Sequence, residues 1–222
     1  MNRKKKEVIN MEVSIWIDYA CPYCYVEFTR LQKAIAEVEL SEQVNINIHA
    51  AQINKDAPKV AAGTNGELLA KKDNLTKEEV KARFEPIVEL GQKAGLKINY
   101  AGVKETNTMD AHRLVQWVEH GLEDEEKAIK LANLLFEANF TENVELADHQ
   151  VLIDRATKVG LDKEVVKNFL DSEEYRDLVI EQEDMLTNRG IESVPFMEIN
   201  GQEFPKMLEV EEIKQVLNQE FY

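Results

Sequence analysis

The sequence predicts an α/β fold in which a βαβ unit and a ββα unit are separated by an all-helical insertion. Three observations predict it. Apolar and polar residues alternate before residue 50 and again after residue 195, which is the two-residue period of strands. From about Pro58 to Arg189 the alternation gives way to helical spacing. The dipeptide Asn200-Gly201, flanked by strand-forming residues, is a strong hairpin signal. Residues 11–57 and 190–222 are accordingly assigned to a sheet-bearing domain, 58–189 to a helical insertion domain, and 1–10 to a basic N-terminal tail.

Between Glu12 and Asp18, Val13, Ile15 and Ile17 alternate with Ser14 and Trp16, giving the first strand. A helix begins inside the run Cys21-Pro22-Tyr23-Cys24, because Cys24, Phe28, Leu31, Ile35 and Val38 then fall on one face. After a polar turn at Ser41-Glu42-Gln43, Val44, Ile46 and Ile48 mark the second strand, closing a βαβ unit with a right-handed crossover. In the helical block, Thr76 and Glu79 form a capping-box pattern for a helix running toward Gly95, with Pro86 expected to kink it. Thr108 or Asn107 is placed to cap the next helix, whose apolar face is Ala111, Leu114, Val115 and Val118. Ala128, Leu131, Ala132, Leu135 and Phe136 make another stripe, and Gly160 and Gly190 end helices over Val151–Val159 and Tyr175–Arg189. These helices are expected to form a lobe with its own apolar interior. Phe196–Ile199 and Gln202–Phe204 flank the hairpin turn, and Val210, Ile213, Val216 and Leu217 make a final amphipathic helix.

Composition narrows the function. With 44% hydrophobic and 31% charged residues the chain reads as a soluble globular protein. A net charge of −15 gives a field that repels nucleic acid and anionic lipid, so neither is an expected partner. The start Met1-Asn2-Arg3-Lys4-Lys5-Lys6 is followed by Glu7, Asn10, Glu12 and Ser14, which interrupt the apolar run a signal peptide requires, and a cytoplasmic location is expected. The two cysteines sit in a single Cys-x-x-Cys, which favours redox chemistry in a reducing compartment over a framework of structural disulfides. Zinc is not expected, because His49, His120, His112 and His149 lack the spacing of a second ligand pair.

Thiol–disulfide exchange needs a thiolate, and the motif is placed to stabilise one. Pro22 suits the first helical position, which puts Cys21 at the N-cap with its sulfur toward the free N–H groups of Tyr23 and Cys24. Such sites lower a cysteine pKa from about 8.5 into the range of roughly 3.5 to 7.5. Cys21 is therefore the expected nucleophile. Cys24, one turn further in on the apolar face, is the expected resolving thiol.

Three runs resemble the DsbA-like family of thioredoxin-fold proteins, and within it the FrnE-type branch related to 2-hydroxychromene-2-carboxylate isomerases. They are Asp18-Tyr19-Ala20-Cys21-Pro22-Tyr23-Cys24-Tyr25, Asn107-Thr108-Met109-Asp110-Ala111-His112-Arg113-Leu114, and Gly190-Ile191-Glu192-Ser193-Val194-Pro195-Phe196. The resemblance implies a thioredoxin-like sheet with the helical domain between its second and third strands. It further implies that Pro195 is cis and packs beside the nucleophilic sulfur, that the Val194 backbone pairs with an extended substrate, and that Pro22 and Tyr23 belong to the substrate-binding surface. One departure matters. Members of this branch often carry Trp between the cysteines, whereas Tyr23 here gives the Pro-Tyr dipeptide familiar from glutaredoxins. The redox potential cannot be carried over, since about 30 mV corresponds to only about 1.4 kcal/mol.

Asp18 has three readings of equal weight: exchanging protons with Cys24, raising the thiol pKa as a like charge, or hydrogen-bonding backbone in the turn. Asn107 and His112 are candidates for the substrate groove, set against a plain helix cap and a hydrogen-bonded histidine. Trp16 and Trp117 read as packing, and the acidic runs Glu123–Glu126 and Glu181–Asp184 as solvated faces. The sequence thus points to a dithiol oxidoreductase acting on protein or small thiol and disulfide substrates. No metal or other cofactor is expected, with glutathione as a candidate co-substrate. The alternatives are a glutathione-dependent isomerase or transferase of the same branch, whose relatives carry Ser at the position of Cys21, and a non-catalytic DsbA-like adaptor.

Overall fold

The structure, a computed structural model, describes residues 11–40 and 43–220. The tail 1–10 and most of the Ser41-Glu42-Gln43 turn lie outside the described residues. Strand β1 (Met11–Ile17) leads through a short turn into helix α1 (Pro22–Glu37), and β2 (Val44–Ala50) returns parallel to β1. The helices that follow are α2 (Asn65–Asp73), α3 (Lys77–Lys93), α4 (Met109–Gln116), α5 (Glu125–Phe140), α6 (His149–Lys158), α7 (Lys163–Leu170) and α8 (Arg176–Asn188). The chain then forms β3 (Phe196–Ile199), β4 (Gln202–Phe204) and α9 (Val210–Glu220). The sheet order is β2-β1-β3-β4, with β3 antiparallel to both β1 and β4.

Local chemistry explains the boundaries. Asn200 and Gly201 both have positive φ, 46° and 84°, as a two-residue hairpin turn of the primed type requires. Thr76 and Glu79 close both bonds of a capping box at the start of α3. Pro86 is accommodated inside that helix, which continues to Lys93. Gly160 and Gly190 adopt φ of 87° and 71°, and the following N–H groups of Leu161 and Ile191 return to Ala156 and Leu186 carbonyls, ending α6 and α8 as Schellman motifs. Helices α2 and α7 add to the elements that the sequence pattern predicts.

The expected separate interior of the helical lobe is corrected by the packing. One apolar cluster runs from Val13, Ile15 and Ile17 of β1 through Phe28 and Leu31 of α1 to Leu114, Leu135 and Phe136. Phe136 packs against Tyr19, Tyr25 and Phe28 at ring-centroid distances of 5.1, 5.0 and 6.2 Å. Each such pair adds about 0.5–1.5 kcal/mol beyond area burial. The helical insertion therefore packs directly onto the helix that carries the cysteines.

β2 is an edge strand, and its outward N–H groups need partners. Side chains of the insertion supply them. Ile46 donates to Glu125 (2.7 Å), Ile48 to Glu119 (3.0 Å), Ala50 to Gln182 (2.8 Å), and Gln52, just beyond the strand, to Glu183 (3.0 Å). Gln116 donates to the Ile48 carbonyl at 2.6 Å and accepts from Gln182 at 2.6 Å. Gln182 and Glu183 are 3% and 4% exposed, so only Glu181 and Asp184 of the run Glu181–Asp184 form the solvated face its composition suggested.

Candidate active site

β1 stops at Ile17, and the Cys21 N–H closes a turn onto the Asp18 carbonyl at 3.0 Å. Cys21 then takes the extended N-cap conformation (φ −97°, ψ 113°) and Pro22 enters the first turn of α1, where its missing N–H costs nothing. The Tyr19 carbonyl is tied down by the Asn139 amide of α5 at 2.9 Å. Opposite the cysteines, the Val194–Pro195 peptide is cis, and the Val194 carbonyl lies 3.8 Å from Cys21 Sγ. Residues 173 positions apart thus meet at the sulfur.

Both cysteines are free thiols in unlike environments. Cys21 retains 5% of its surface and Cys24 none, so only Cys21 is open to attack, and through a narrow opening. The Cys21 sulfur closes no regular cap hydrogen bond. Its pKa is nonetheless lowered, first by the Cys24 thiol, which donates to it, and also by the Cys24 and Tyr23 N–H groups, against burial and the Asp18 charge. Cys24 is pushed well above the ordinary thiol range by burial first and by the Cys21 sulfur next. Of the intervening dipeptide, Pro22 is buried and Tyr23 is 48% exposed, so Tyr23 alone offers a ring to an incoming molecule.

Asp18 is 1% exposed beneath this pair. Its Oδ1 accepts from the Ala20 N–H (3.1 Å) and the Thr108 hydroxyl (2.9 Å) and lies 3.3 Å from His112 Nε2, while Oδ2 accepts from the Ile53 N–H (2.7 Å). Burial pushes its pKa up, but His112 and the two N–H groups outweigh burial and hold it below the usual range. The backbone role read for Asp18 is present, and its charge raises both thiols.

The groove role for His112 is corrected: at 1% exposure it faces Asp18 and the Tyr19 ring, 4.7 Å away, and reaches no surface. Asn107 is half-buried, and its Oδ1 caps α4 by accepting from Met109 N–H at 2.9 Å while its amide donates to the Lys55 carbonyl at 3.0 Å. It also borders a surface cleft of about 500 Å³ with Gln52, Lys55 and Glu183. A neighbouring cleft of about 400 Å³ runs from those same residues to Ser193 and Val194, reaching the proline loop. Two further residues, Thr108 and Tyr100, join the site. Thr108 carries the sequence signature of a helix cap, yet its hydroxyl makes no cap bond and turns to Asp18 instead. Tyr100, its pKa raised by burial first and then by Cys21, borders a small pocket beside Ala20, and no local pattern marked it. His149 Nε2 lies within hydrogen-bond distance, 2.9 Å, of Asp110 Oδ2. Among the described residues no three His, Cys, Asp or Glu side chains converge as a metal site.

A four-strand mixed sheet carrying two cysteines at the start of its first helix, with a helical insertion after β2, defines a thioredoxin-like dithiol protein. The chain belongs to the family of the DSBA-like thioredoxin domain, whose profile matches residues 12–218. Among solved structures it is similar to a probable DsbA oxidoreductase from Streptomyces coelicolor, at 24% identity and a TM-score of 0.82, covering 96% of this chain and 90% of that one. It is also similar to the cytosolic disulfide reductase DsbM from Pseudomonas aeruginosa with GSH, at 13% identity and a TM-score of 0.62, covering 95% and 98%. A 2-hydroxychromene-2-carboxylate isomerase shares the fold at 15% identity and a TM-score of 0.64, covering 95% and 94%. These likenesses establish the fold. Comparison with curated proteins returns no significant match.

Proposed function

We propose that this protein is a thiol–disulfide oxidoreductase working through Cys21-Pro22-Tyr23-Cys24. The observation that carries the reading is the unequal pair, one sulfur at a helix start and favoured as an anion, the other sealed and kept as a thiol one turn away. In the reducing direction the Cys21 thiolate attacks a substrate disulfide, forms a mixed disulfide and releases one substrate thiolate. Cys24 then gives up its proton and attacks Cys21 sulfur, forming the Cys21–Cys24 disulfide and releasing the second substrate thiolate. Two electrons pass from protein to substrate, and the reverse sequence oxidises a dithiol.

The step runs on the two sulfurs, without a metal or nucleotide. The Val194 backbone and the exposed Tyr23 ring are its substrate contacts, with Pro195 and Pro22 as their buried supports. Glutathione is proposed as a co-substrate and the cytoplasm as the setting, both supported by the likeness to the cytosolic reductase DsbM, which was solved with GSH. No helix of the described residues is long and apolar enough to cross a membrane. The isomerase reading is not favoured, because it leaves Cys24 beside Cys21 without a role.

Equilibrating the protein in glutathione buffers of graded ratio, then counting alkylated thiols by mass, tests the proposal. Cys21 and Cys24 are expected to convert together, both thiols or neither, along a two-electron curve. A pair that stays reduced under oxidised glutathione, or stops at a mixed disulfide with Cys24 free, contradicts it.

A further inference from the structure

We propose that the helical insertion sets the redox properties of the cysteine pair through Thr108 and His112, positioning residues that hold the Asp18 carboxylate as an anion beneath the two sulfurs. The inference rests on the reading of the pair as a redox dithiol.

Asp18 is surrounded by donors. Two are backbone N–H groups, Ala20 and Ile53, which can only donate. The other two come from the start of α4: the Thr108 hydroxyl, itself within 3.4 Å of the Gln52 amide, and His112 Nε2. An ionised carboxylate only accepts, so Nε2 carries the hydrogen in this contact. Protonating Asp18 would place a donor where four donors converge, so that the Thr108 hydroxyl or His112 Nε2 would have to reverse its role and accept, at a carboxyl that is 1% exposed. The titratable groups that face Asp18 are His112 from α4, Cys21 and Cys24 from α1, and its own neighbour Tyr19. Glu119 acts on Tyr19 in turn. Among the described residues His112 is therefore the one basic side chain at the carboxylate, and the network spans 94 residues between the dithiol loop and the insertion.

The consequence follows from charge. A fixed anion disfavours a thiolate, while the disulfide carries no charge and is unaffected. The carboxylate therefore tilts the pair toward the disulfide and makes the protein a stronger reductant than it would be with a neutral residue at 18. Without the donors of α4, burial prevails and Asp18 takes up a proton.

The test combines thiolate absorbance titration of the reduced protein with its equilibrium constant against glutathione, for wild type, Asp18→Asn, His112→Leu, His112→Gln and the double variant Asp18→Asn/His112→Leu. Asp18→Asn is expected to lower the Cys21 midpoint by about one pH unit and favour the dithiol about tenfold, equivalent to about 30 mV. His112→Leu moves both quantities in the same direction, at least about threefold in the equilibrium constant. His112→Gln, which keeps a donor, stays within about twofold of wild type. The double variant matches Asp18→Asn, because the effect passes through the carboxylate. Should His112→Leu not fold, Thr108→Val deletes one donor at little cost in volume and moves the midpoint the same way by a smaller step. Midpoints that stay put or rise in the α4 variants, or additive effects in the double variant, overturn the inference. A wild-type pair that does not equilibrate with glutathione instead overturns the proposed function, and the Cys21 titration remains readable in that case.

Discussion

Cys21→Ser is expected to remove thiol–disulfide exchange entirely, and Cys24→Ala to convert the protein into a trap that keeps its substrate. A serine hydroxyl neither ionises near neutral pH nor forms a disulfide, so the first variant falls to background, a loss of at least about a thousandfold. The second keeps the attacking sulfur with its helix N–H groups and loses the thiol that releases the mixed disulfide. Removing Cys24 also removes the largest influence lowering the Cys21 pKa, so the trap is expected to form more slowly at neutral pH and to speed up as pH rises. Mass analysis of non-reduced Cys24→Ala, after mixing with a disulfide-linked peptide, reads the adduct directly. An adduct on residue 24 in Cys21→Ser, at a rate matching wild type, would reverse the assignment of roles.

The second large effect is on stability and comes from the capped edge of β2. Glu119 sits in a π turn (Trp117–Gly121) after α4, 9% exposed, with one oxygen on the Ile48 N–H and the other unpaired. Burial pushes its pKa up to about 8, opposed by the Ile48 N–H. In the unfolded chain the same carboxyl ionises near 4.5, the ordinary value. Between those limits the folded state binds more protons than the unfolded one, so stability falls as pH rises. Glu27, raised to about 7 chiefly by burial, acts in the same direction over a narrower range. Glu119→Gln keeps the acceptor for Ile48 and removes the ionisation. Urea unfolding is expected to show the variant more stable than wild type at pH 9, by several kcal/mol and at most about 5, with the difference nearly gone at pH 5. Parallel stability curves for the two proteins would place the buried charge elsewhere.

What the sequence disclosed and what it withheld divide along chain distance. The first strand, the helix opening at Pro22, the Asn200-Gly201 hairpin and the glycine stops at 160 and 190 are written in neighbouring residues, and each formed where its pattern lay. Helix α2 carried a readable signal, since Thr64 and Glu67 repeat the capping box of Thr76 and Glu79. It lacks any buried residue, so no apolar stripe drew attention to it. The partners of β2 were not legible, because Glu119 meets Ile48 across 71 positions and no periodicity records which backbone group a carboxylate will find. For the same reason Cys21 and Cys24 were readable from spacing and capping, whereas the surroundings of Asp18 were not. His112 looked available to a substrate because a histidine in a suggestive run carries no mark of burial.

Titrating the reduced protein by thiolate absorbance tests most directly whether Cys21 is the sulfur of the pair that ionises first. Wild type is expected to show one thiolate appearing below the ordinary thiol value, absent from Cys21→Ser, with the second sulfur ionising only well above that value. A first transition at or above the ordinary thiol value, or one that persists when Cys21 is replaced, would contradict that order.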